Sequence, residues 1–384
     1  MWSSHHLVGV GDVVKRHLKN LARRSTPGLF VVLTAIQADA AELYVAPDGR
    51  DSNPGTIDLP FQTIAKASEV TAPGTTIHVA PGIYREILET SASGTATGRV
   101  RYVSSVTWGA KIRTDGPDDH WSWTNRGSYV DIEGFDISNN GSGGIDNFGS
   151  HVRIVKNHAH NIPALGCPGD DGAGLNAAEY TAVDTSFIGN VVHDIGEFPI
   201  PCPRVHGIYH SHEGGWIVNN IAYRNSGWGI HLWHAPFDLT IANNLVFNNA
   251  NGGIVVGAGD APYFDDPSRP ADYISVVNNI VYDNGRVGIE ESGTTGLNNL
   301  YLNNLVFGND EDWGLNNGLT HAGTVAAPPG FVQYDPNGEG NYHLTVDSPA
   351  IDHGRWIEAA MSDYDGVARP QGQGIDIGPF EFLP

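Results

Sequence analysis

Aliphatic and polar residues recur at a fixed phase through the middle of the chain. An Asn flanked by aliphatic residues recurs at Asn157, Asn190, Asn220, Asn244, Asn279 and Asn304. A second polar residue follows each at Asn161, Asp194, Asn225, Asn248, Asp283 and Asn309. The first five repeats then continue with Gly174-Leu175, Gly207-Ile208, Gly229-Ile230, Gly253-Ile254 and Gly288-Ile289. This pattern indicates an internal structural repeat.

The length of the repeat predicts a solenoid. The Asn precedes the Gly by 9 residues in three repeats, and the Gly precedes the next Asn by 13 residues in two. One repeat of 22 residues is about one turn of a three-sided coil built from short strands. In such a stack equivalent residues lie about 4.8 Å apart, so aliphatic side chains fill the interior and Asn side chains bond to the coils above and below. We therefore predict an all-β fold, a parallel β-helix.

The two ends of the chain differ from the repeat. Residues 62–71 predict a short helix that caps the first coil and protects its open strand edges. Basic residues before the apolar run 29–36, followed by Ala38-Asp39-Ala40, predict a secretory signal peptide at residues 1–40. We predict the N-terminal cap and first coils at 41–100, further coils at 101–320, and a segment at 321–384 that packs on them.

These motifs resemble known proteins. The unit Asn-Asn-Ile-x-x-x-Asn…Gly-Ile resembles the repeat of the pectate-lyase-like superfamily of carbohydrate-active proteins. Residues 43–46, 60–64 and 81–84 resemble the N-terminal capping segment of bacterial members, and residues 348–352 and 365–381 resemble their C-terminal segment. The resemblance implies a right-handed parallel β-helix and a carbohydrate ligand. It does not imply one reaction, because one fold supports several activities.

Charge narrows the choice of partner. The whole chain has a net charge of −22, and removal of residues 1–40 leaves −25. Such an acidic protein is not expected to bind nucleic acid. An acidic polysaccharide is also disfavoured unless a bound cation or an Arg/Lys cluster reverses the local field. The apolar run near the N-terminus is too short to span a membrane, and we expect a monomer.

Two long insertions predict which face of the coils carries the functional groove. The Asn-to-Gly distance grows to 17 residues in two consecutive repeats, which places loops 162–172 and 195–205 side by side as the walls of a groove. Each loop carries one of the two cysteines, Cys167 and Cys202. Their equivalent positions in an exported protein predict a disulfide.

Side chains after each Gly-aliphatic pair are predicted to face outward, because strand residues alternate between faces. The predicted outward column is Asp146, Asn176, Tyr209, His231, Val255 and Glu290. Trp228 and Trp233 suit stacking on sugar rings, and we place them with Asp146, Asn176, Glu290 and His210 among the substrate-binding candidates.

The histidines of the middle coils admit three interpretations. Tyr209 and His231 are candidates for proton transfer. Metal binding by His206, His210, His212 and His234 is the second interpretation. In the third, several of them are hydrogen-bonded core residues. Strict alternation turns His206 and His210 inward and favours the third interpretation for these two.

Three reaction classes remain open. A polysaccharide lyase or C5-epimerase would use Tyr209 or His231 for proton transfer, with Arg204 or a Ca²⁺ held by Asp170 and Asp171 to neutralise a uronate carboxylate. The calcium arrangement usual in the superfamily is not evident, and the Asp-Pro-His signature of alginate epimerases is absent. A glycoside hydrolase would use a carboxyl pair such as Asp171 with Glu179 or Glu290. The third class is a non-catalytic carbohydrate-binding protein.

Overall fold

A computed structural model describes residues 41–164, 167, 171–234, 236–259 and 269–383. The predicted signal peptide and Asp170 lie outside these residues.

Three parallel sheets of 11, 9 and 9 strands run along the described coils, and each complete coil contributes one strand to each sheet. Sheet A comprises β1 Glu42–Val45, β2 Thr76–Val79, β5 Val100–Ser104, β8 Val130–Glu133, β11 Arg153–Val155, β14 Ser186–Ile188, β17 Trp216–Val218, β20 Thr240–Ala242, β23 Ser275–Val277, β26 Leu300–Leu302 and β29 His321–Ala322. Sheet B comprises β3 Gly82–Tyr84, β6 Ala110–Thr114, β9 Asp136–Asn139, β12 His158–Ile162, β15 Val191–Ile195, β18 Ile221–Tyr223, β21 Leu245–Phe247, β24 Ile280–Tyr282 and β27 Leu305–Phe307. Sheet C comprises β4 Leu88–Thr90, β7 Trp121–Asn125, β10 Gly143–Asn147, β13 Gly172–Ala177, β16 Val205–His210, β19 Trp228–Leu232, β22 Gly252–Ala258, β25 Val287–Gly293 and β28 Glu311–Gly314. The predicted parallel β-helix is confirmed.

Helix α1, Ile64–Glu69, lies within the span predicted for a helix. The Thr63 hydroxyl accepts a hydrogen bond from the Lys66 amide and caps the helix N-terminus. Ile64 and Ala67 are fully buried. The helix packs on β1 and β4, the first strands of sheets A and C. It therefore covers an end of the stack where strand edges would otherwise meet water.

Two ladders of buried asparagines hold the corners of the coils. In the first, each side-chain amide donates to the side-chain oxygen of the next coil at 2.8–3.2 Å; its members are Asn157, Asn190, Asn220, Asn244, Asn279 and Asn304. The second comprises Asn225, Asn249, Asn284 and Asn309. The first ladder was predicted. In the second, Asn249 and Asn284 directly follow Asn248 and Asp283, the second polar positions of the repeat, which adopt positive φ.

Residues with positive φ explain why asparagines are paired in the sequence. Asn219, Asn243, Asn278 and Asn303 precede first-ladder residues and have φ of 53–58°. Asn tolerates this left-handed conformation better than most residues. The first Asn of each pair therefore turns the chain, and the second bonds along the stack.

The C-terminal residues cover part of sheet B. The antiparallel pair β30, Phe331–Gln333, and β31, Asn341–Leu344, follows the last coil, and a short 3₁₀ helix spans Glu358–Ala360. Tyr342, Ile377 and Phe380 pack with Phe247 and Ile280 of sheet B. Sheet C keeps a face that this segment does not cover. In the part of the chain that the structure describes, no helix is long and apolar enough to cross a membrane.

Candidate functional site

The predicted outward column lies in register on sheet C. Each member pairs with the next across neighbouring strands: Asp146 with Asn176, Asn176 with Tyr209, Tyr209 with His231, His231 with Val255, and Val255 with Glu290. Five steps of about 4.8 Å give a line about 24 Å long. All six side chains line one groove of about 740 Å³, which we call the sheet C groove.

The disulfide joins the two loops predicted to form walls. Cys167 follows β12 and Cys202 follows β15, and their Cα atoms are 5.8 Å apart. The predicted pairing is confirmed. Asp171 and Arg204, in the same two loops, also line the sheet C groove, and their side chains form an ion pair at 2.7 Å.

Three titratable rings meet on the groove floor. A His231 ring nitrogen, Nδ1, lies 2.8 Å from Nε2 of His206. The Tyr209 ring centroid lies 5.3 Å from that of His206 and 5.2 Å from that of His231. Burial lowers the pKa of His206 to about 3 and holds the pKa of His231 well below its usual range. Both imidazoles are therefore neutral at neutral pH, so each ring has one nitrogen that carries a lone pair.

The predicted inward orientation of His206 is wrong. A Cβ at Gly207 would approach the buried Asn225 side chain within 2.8 Å, so Gly207 faces the interior as Ile208 does. Strict alternation fails at this glycine, and His206, just before it, faces the groove.

His210 lies inside the coil, as the core interpretation predicted. It is fully buried, and its Nε2 lies 3.0 Å from the Thr185 carbonyl oxygen. Its place among the substrate-binding candidates is therefore wrong, because the stacked strands separate it from the groove. His212 is also buried, with Nδ1 2.9 Å from the Thr185 hydroxyl.

Tryptophan rings lie flat against the groove floor. The Trp228 ring lies over Gly252 of the next coil, where a Cβ would come within 2.1 Å of it. The Trp233 ring covers Gly257 in the same way, at 2.6 Å. Both tryptophans line the groove. The glycines are required because only a residue without a side chain leaves room for each ring.

Opposite charges lie at separate points along the groove. Arg286 donates to a Glu290 carboxylate oxygen at 2.9 Å and lies over the Trp228 ring. Burial raises the pKa of Glu290. At the other end Asp146 accepts a hydrogen bond from Asn176 at 2.8 Å, and burial raises its pKa to about 6. The carboxylate of Glu179 also raises the pKa of Asp146.

The carboxyl pairs suggested for a hydrolase are not equivalent. Asp171 directly precedes β13, and Glu290 lies on β25, four strands away, so about 19 Å along the stack separates them, which exceeds the roughly 5–10 Å that glycosidases use. Asp171 is already ion-paired with Arg204. Glu179 accepts a hydrogen bond from the Thr181 hydroxyl and is not among the groove-lining residues. The Glu179 carboxylate affects the groove because its negative charge raises the pKa of Asp146.

Asp170, one of the two predicted calcium ligands, lies outside the described residues, so the calcium site stays a prediction. Calcium binds six to eight oxygen ligands, usually from several carboxylates. Of the predicted ligands, Asp171 is described, and its side chain is mostly exposed and held by Arg204. Among described residues, the one group of three or more potential metal-ligating side chains within mutual reach lies on sheet B, at His158, His160 and His193. The four histidines of the metal interpretation form no such group.

Sequence reasoning missed several groove residues. Trp121, His234 and Arg286 line the groove with His206. Trp121 pairs with Gly143 across neighbouring strands, at the position before the repeat glycine. His206 and Trp228 occupy that position in later coils. Reading this column alongside the predicted one would have found two of the four, Trp121 and His206.

Known proteins share this architecture. The model of a family described as "Pel9A-like, right handed beta helix region" matches residues 43–323. The uncharacterized protein YwoF of Bacillus subtilis is 51 % identical over 53 residues, 14 % of this chain and 11 % of that protein. Pectate lyase PEL9 of Emericella nidulans is 34 % identical over 79 residues, 21 % of this chain and 19 % of that protein. The chain thus spans less than a fifth of these two relatives.

Longer matches extend over most of the coils. Pectate lyase L of Dickeya dadantii is 24 % identical over 307 residues, 68 % of this chain and 70 % of that protein. The crystal structure of pectate lyase Pel9A matches with a TM-score of 0.65 at 17 % identity, covering 89 % of this chain and 96 % of that one. The structural likeness shows a shared fold.

Proposed function

Because the chain belongs to the family of Pel9A-like right-handed β-helix proteins, we propose that it is a secreted polysaccharide lyase that cleaves a uronate-containing polymer by β-elimination. The observation that carries the proposal is the contact of Tyr209, His206 and His231 on the floor of a long groove. The names of two sequence relatives, both pectate lyases, support a uronate substrate. The disulfide supports folding in an oxidising compartment, as secretion requires.

β-Elimination needs a base at the carbon next to the carboxylate. Neutral His231 takes the proton from C5 of the uronate, and the electrons of that bond form the C4=C5 double bond. The bond from C4 to the glycosidic oxygen breaks, and the Tyr209 hydroxyl gives its proton to that oxygen. His206 holds the His231 ring through their hydrogen bond. The products are an unsaturated uronate and a new reducing end.

Proton removal places negative charge on the uronate carboxylate, so a cation must lie nearby. Arg204 and Arg286 both line the groove, and each already has a carboxylate partner, Asp171 and Glu290 respectively. An arginine has five N–H donors, so it can bind a second carboxylate while it keeps the first. Arg204, in a wall loop, is the proposed neutraliser, and Trp233 stacks on a sugar ring. Trp228 is buried beneath Arg286 and supports the groove floor.

A C5-epimerase would share the first step and differ in the second. The same base removes the C5 proton, but a proton then returns from the opposite face and the chain stays intact. Incubation in D₂O separates the two reactions, because an epimerase introduces deuterium at C5 without new reducing ends.

A second candidate function rests on Asp146. Its carboxyl has a pKa of about 6 and is affected by the nearby Glu179 carboxylate. A glycoside hydrolase uses as its general acid a carboxyl group that keeps its proton near neutral pH, together with a second carboxylate. This function would use the Asp146 end of the groove and leave Tyr209 and His231 without a role in proton transfer.

The deciding experiment incubates the purified mature chain with pectin, polygalacturonate, alginate, glycosaminoglycans and neutral glucans and galactans. Ultraviolet absorbance of the new double bond and reducing ends are followed together, with and without Ca²⁺. We expect both signals to rise on a uronate polymer. Reducing ends without the absorbance would support the hydrolase, and neither signal on any polymer would support a binding protein.

A further inference from the structure

A histidine cluster on sheet B lies outside the groove and has no part in the proposed reaction. His158 and His160 project from β12, and His193 is the register partner of His160 on β15. The ring centroids lie 4.2–5.4 Å apart, and each of the three rings contributes a nitrogen within 4.8 Å of the others. The side chains are 14–18 % exposed, so the cluster is shielded but reachable from solvent.

Oxygen acceptors fix the protonated nitrogen of each ring. Nδ1 of His158 lies 3.0 Å from a carboxylate oxygen of Asp136, and Nδ1 of His193 lies 2.6 Å from one of Asp194. Nδ1 of His160 lies 2.5 Å from the amide oxygen of Asn161. Because these oxygens can only accept hydrogen bonds, the proton of each neutral ring is on Nδ1. Each Nε2 therefore presents a lone pair.

These lone pairs face one another and a carboxylate. Nε2 of His158 lies 2.8 Å from Nε2 of His193. Nε2 of His160 lies 3.2 Å from a carboxylate oxygen of Asp136. Acceptors this close, with no hydrogen between them, repel each other unless a cation lies at the point that they share.

We propose that His158, His160 and His193 bind a Zn²⁺ ion through their Nε2 atoms. Neutral imidazole is a preferred zinc ligand, and a ring whose other nitrogen donates to a carboxylate or carbonyl oxygen is the usual second layer of such a site. A tetrahedral ion with Zn–N bonds of about 2.0–2.1 Å needs nitrogens about 3.4 Å apart, within the spacing of this cluster. Asp136 or a water molecule takes the fourth position.

The surroundings keep the rings in place. Trp108 packs on His158 with a centroid distance of 4.7 Å, and Tyr223 stacks on His193 at 4.5 Å. The ion would link the successive strands β12 and β15 and, through Asp136, β9. The site therefore joins three coils on a sheet that does not form the groove.

Calorimetric titration of the chelator-treated full-length chain with ZnCl₂ tests the proposal. We expect one ion per chain in the wild type, at least 100-fold weaker binding in His193→Asn, and about 10–100-fold weaker binding in Asp194→Asn, which removes an outer partner. Ca²⁺ is expected not to bind at this site, because it prefers oxygen ligands. Zn²⁺ should raise the Tm of the wild type by about 2 °C or more and leave that of His193→Asn unchanged.

Two matched controls separate this site from others. His151→Asn alters a partly exposed histidine bonded to Asp184, and His231→Asn alters the groove; both should keep wild-type zinc affinity. Loss of binding in His231→Asn instead would overturn the proposal, as would the absence of stoichiometric binding in the wild type. Cobalt substitution gives a readout independent of variants: visible ligand-field bands that Zn²⁺ displaces support the site, and no such bands contradict it.

Discussion

Tyr209 and His231 are register partners on β16 and β19, and both side chains lie outside the stacked interior. We expect Tyr209→Phe and His231→Ala each to lower kcat/KM on the uronate polymer by about 10²-fold or more, the usual contribution of acid–base groups. The Tm should change little, because neither side chain belongs to the apolar core of the coils. Polymer cleavage assays and thermal unfolding measure the two effects.

Tyr273→Phe serves as the matched control, because Tyr273 is an exposed tyrosine outside the groove-lining residues. It should retain wild-type kcat/KM. Full activity in both Tyr209→Phe and His231→Ala would show that the proton transfer groups lie elsewhere.

Buried neutral histidines should make the fold sensitive to acid. The pKa values of His206 and His210 are about 3 and about 4 in the folded chain, against about 6.5 when unfolded. Between pH 6.5 and about 4 the unfolded chain therefore binds more protons, so stability falls as the pH is lowered. Each histidine contributes a slope of about 1.4 kcal/mol per pH unit.

Urea unfolding at pH 7 and pH 5 measures this loss of stability. His210→Gln removes one titrating group, and its side-chain amide can still donate to the Thr185 carbonyl. The variant should lose less stability than the wild type over the same interval. An equal loss would mean that His210 does not contribute.

At the residue scale, the sequence predicted orientation well where strands alternate and poorly where they do not. Tyr209 and His231 face outward as alternation requires. His206 does not follow the rule, because Gly207 and Ile208 both face the interior. A period of two cannot reveal such an irregularity, since it depends on how a glycine packs against the neighbouring coil.

The asparagine ladder is the element that links one coil to the next. The Asn220 side chain donates to the Phe187 carbonyl and to Asn244, and it accepts from the backbone and side chain of Asn190. Asn220→Ala removes these four buried side-chain hydrogen bonds. We expect a loss of at least about 2 kcal/mol in unfolding free energy.

Denaturant titration measures that loss, with Asn337→Ala as the control, because the Asn337 side chain is exposed and its hydrogen bond from Arg224 lies at the surface. The control should change stability by less than about 0.5 kcal/mol. A ladder variant as stable as the control would mean that water replaces the lost hydrogen bonds.

The first ladder was predictable because every member holds the same phase of the repeat. The second was only partly predictable. Asn248 and Asn249 are adjacent, and the sequence alone does not indicate which of them turns the chain. Packing between the coils determines the choice. Asn249 points between coils, where it bonds to Asn284. Asn248 adopts positive φ and donates a hydrogen bond to the Pro336 carbonyl of the C-terminal segment.

At the scale of the whole molecule, the disulfide closes a long segment between two wall loops. Cys167 and Cys202 are 35 residues apart, and loop-closure entropy gives a stabilisation of about 4 kcal/mol. The double variant Cys167→Ser/Cys202→Ser should therefore lower the Tm and, because the walls loosen, raise KM more than it lowers kcat. Thermal unfolding and steady-state kinetics measure these changes, with the reduced wild type expected to match the variant.

The architecture was predictable because one short pattern specifies every coil. The contacts between residues far apart in the chain were not predictable. The packing of Tyr342 and Phe380 on sheet B joins residues far apart in the chain, and nothing in the repeat encodes that contact. The same holds for the sheet B histidines, whose cluster depends on the register between β12 and β15.

The proposed proton transfer pair belongs to consecutive coils, and this has an evolutionary consequence. Duplication of a coil at either end of the stack would lengthen the groove without moving Tyr209 relative to His231. Insertion of one coil between β16 and β19 would separate them by about another 4.8 Å. Relatives can therefore change the number of sugar units they hold while the reacting pair is inherited as a single block of two coils.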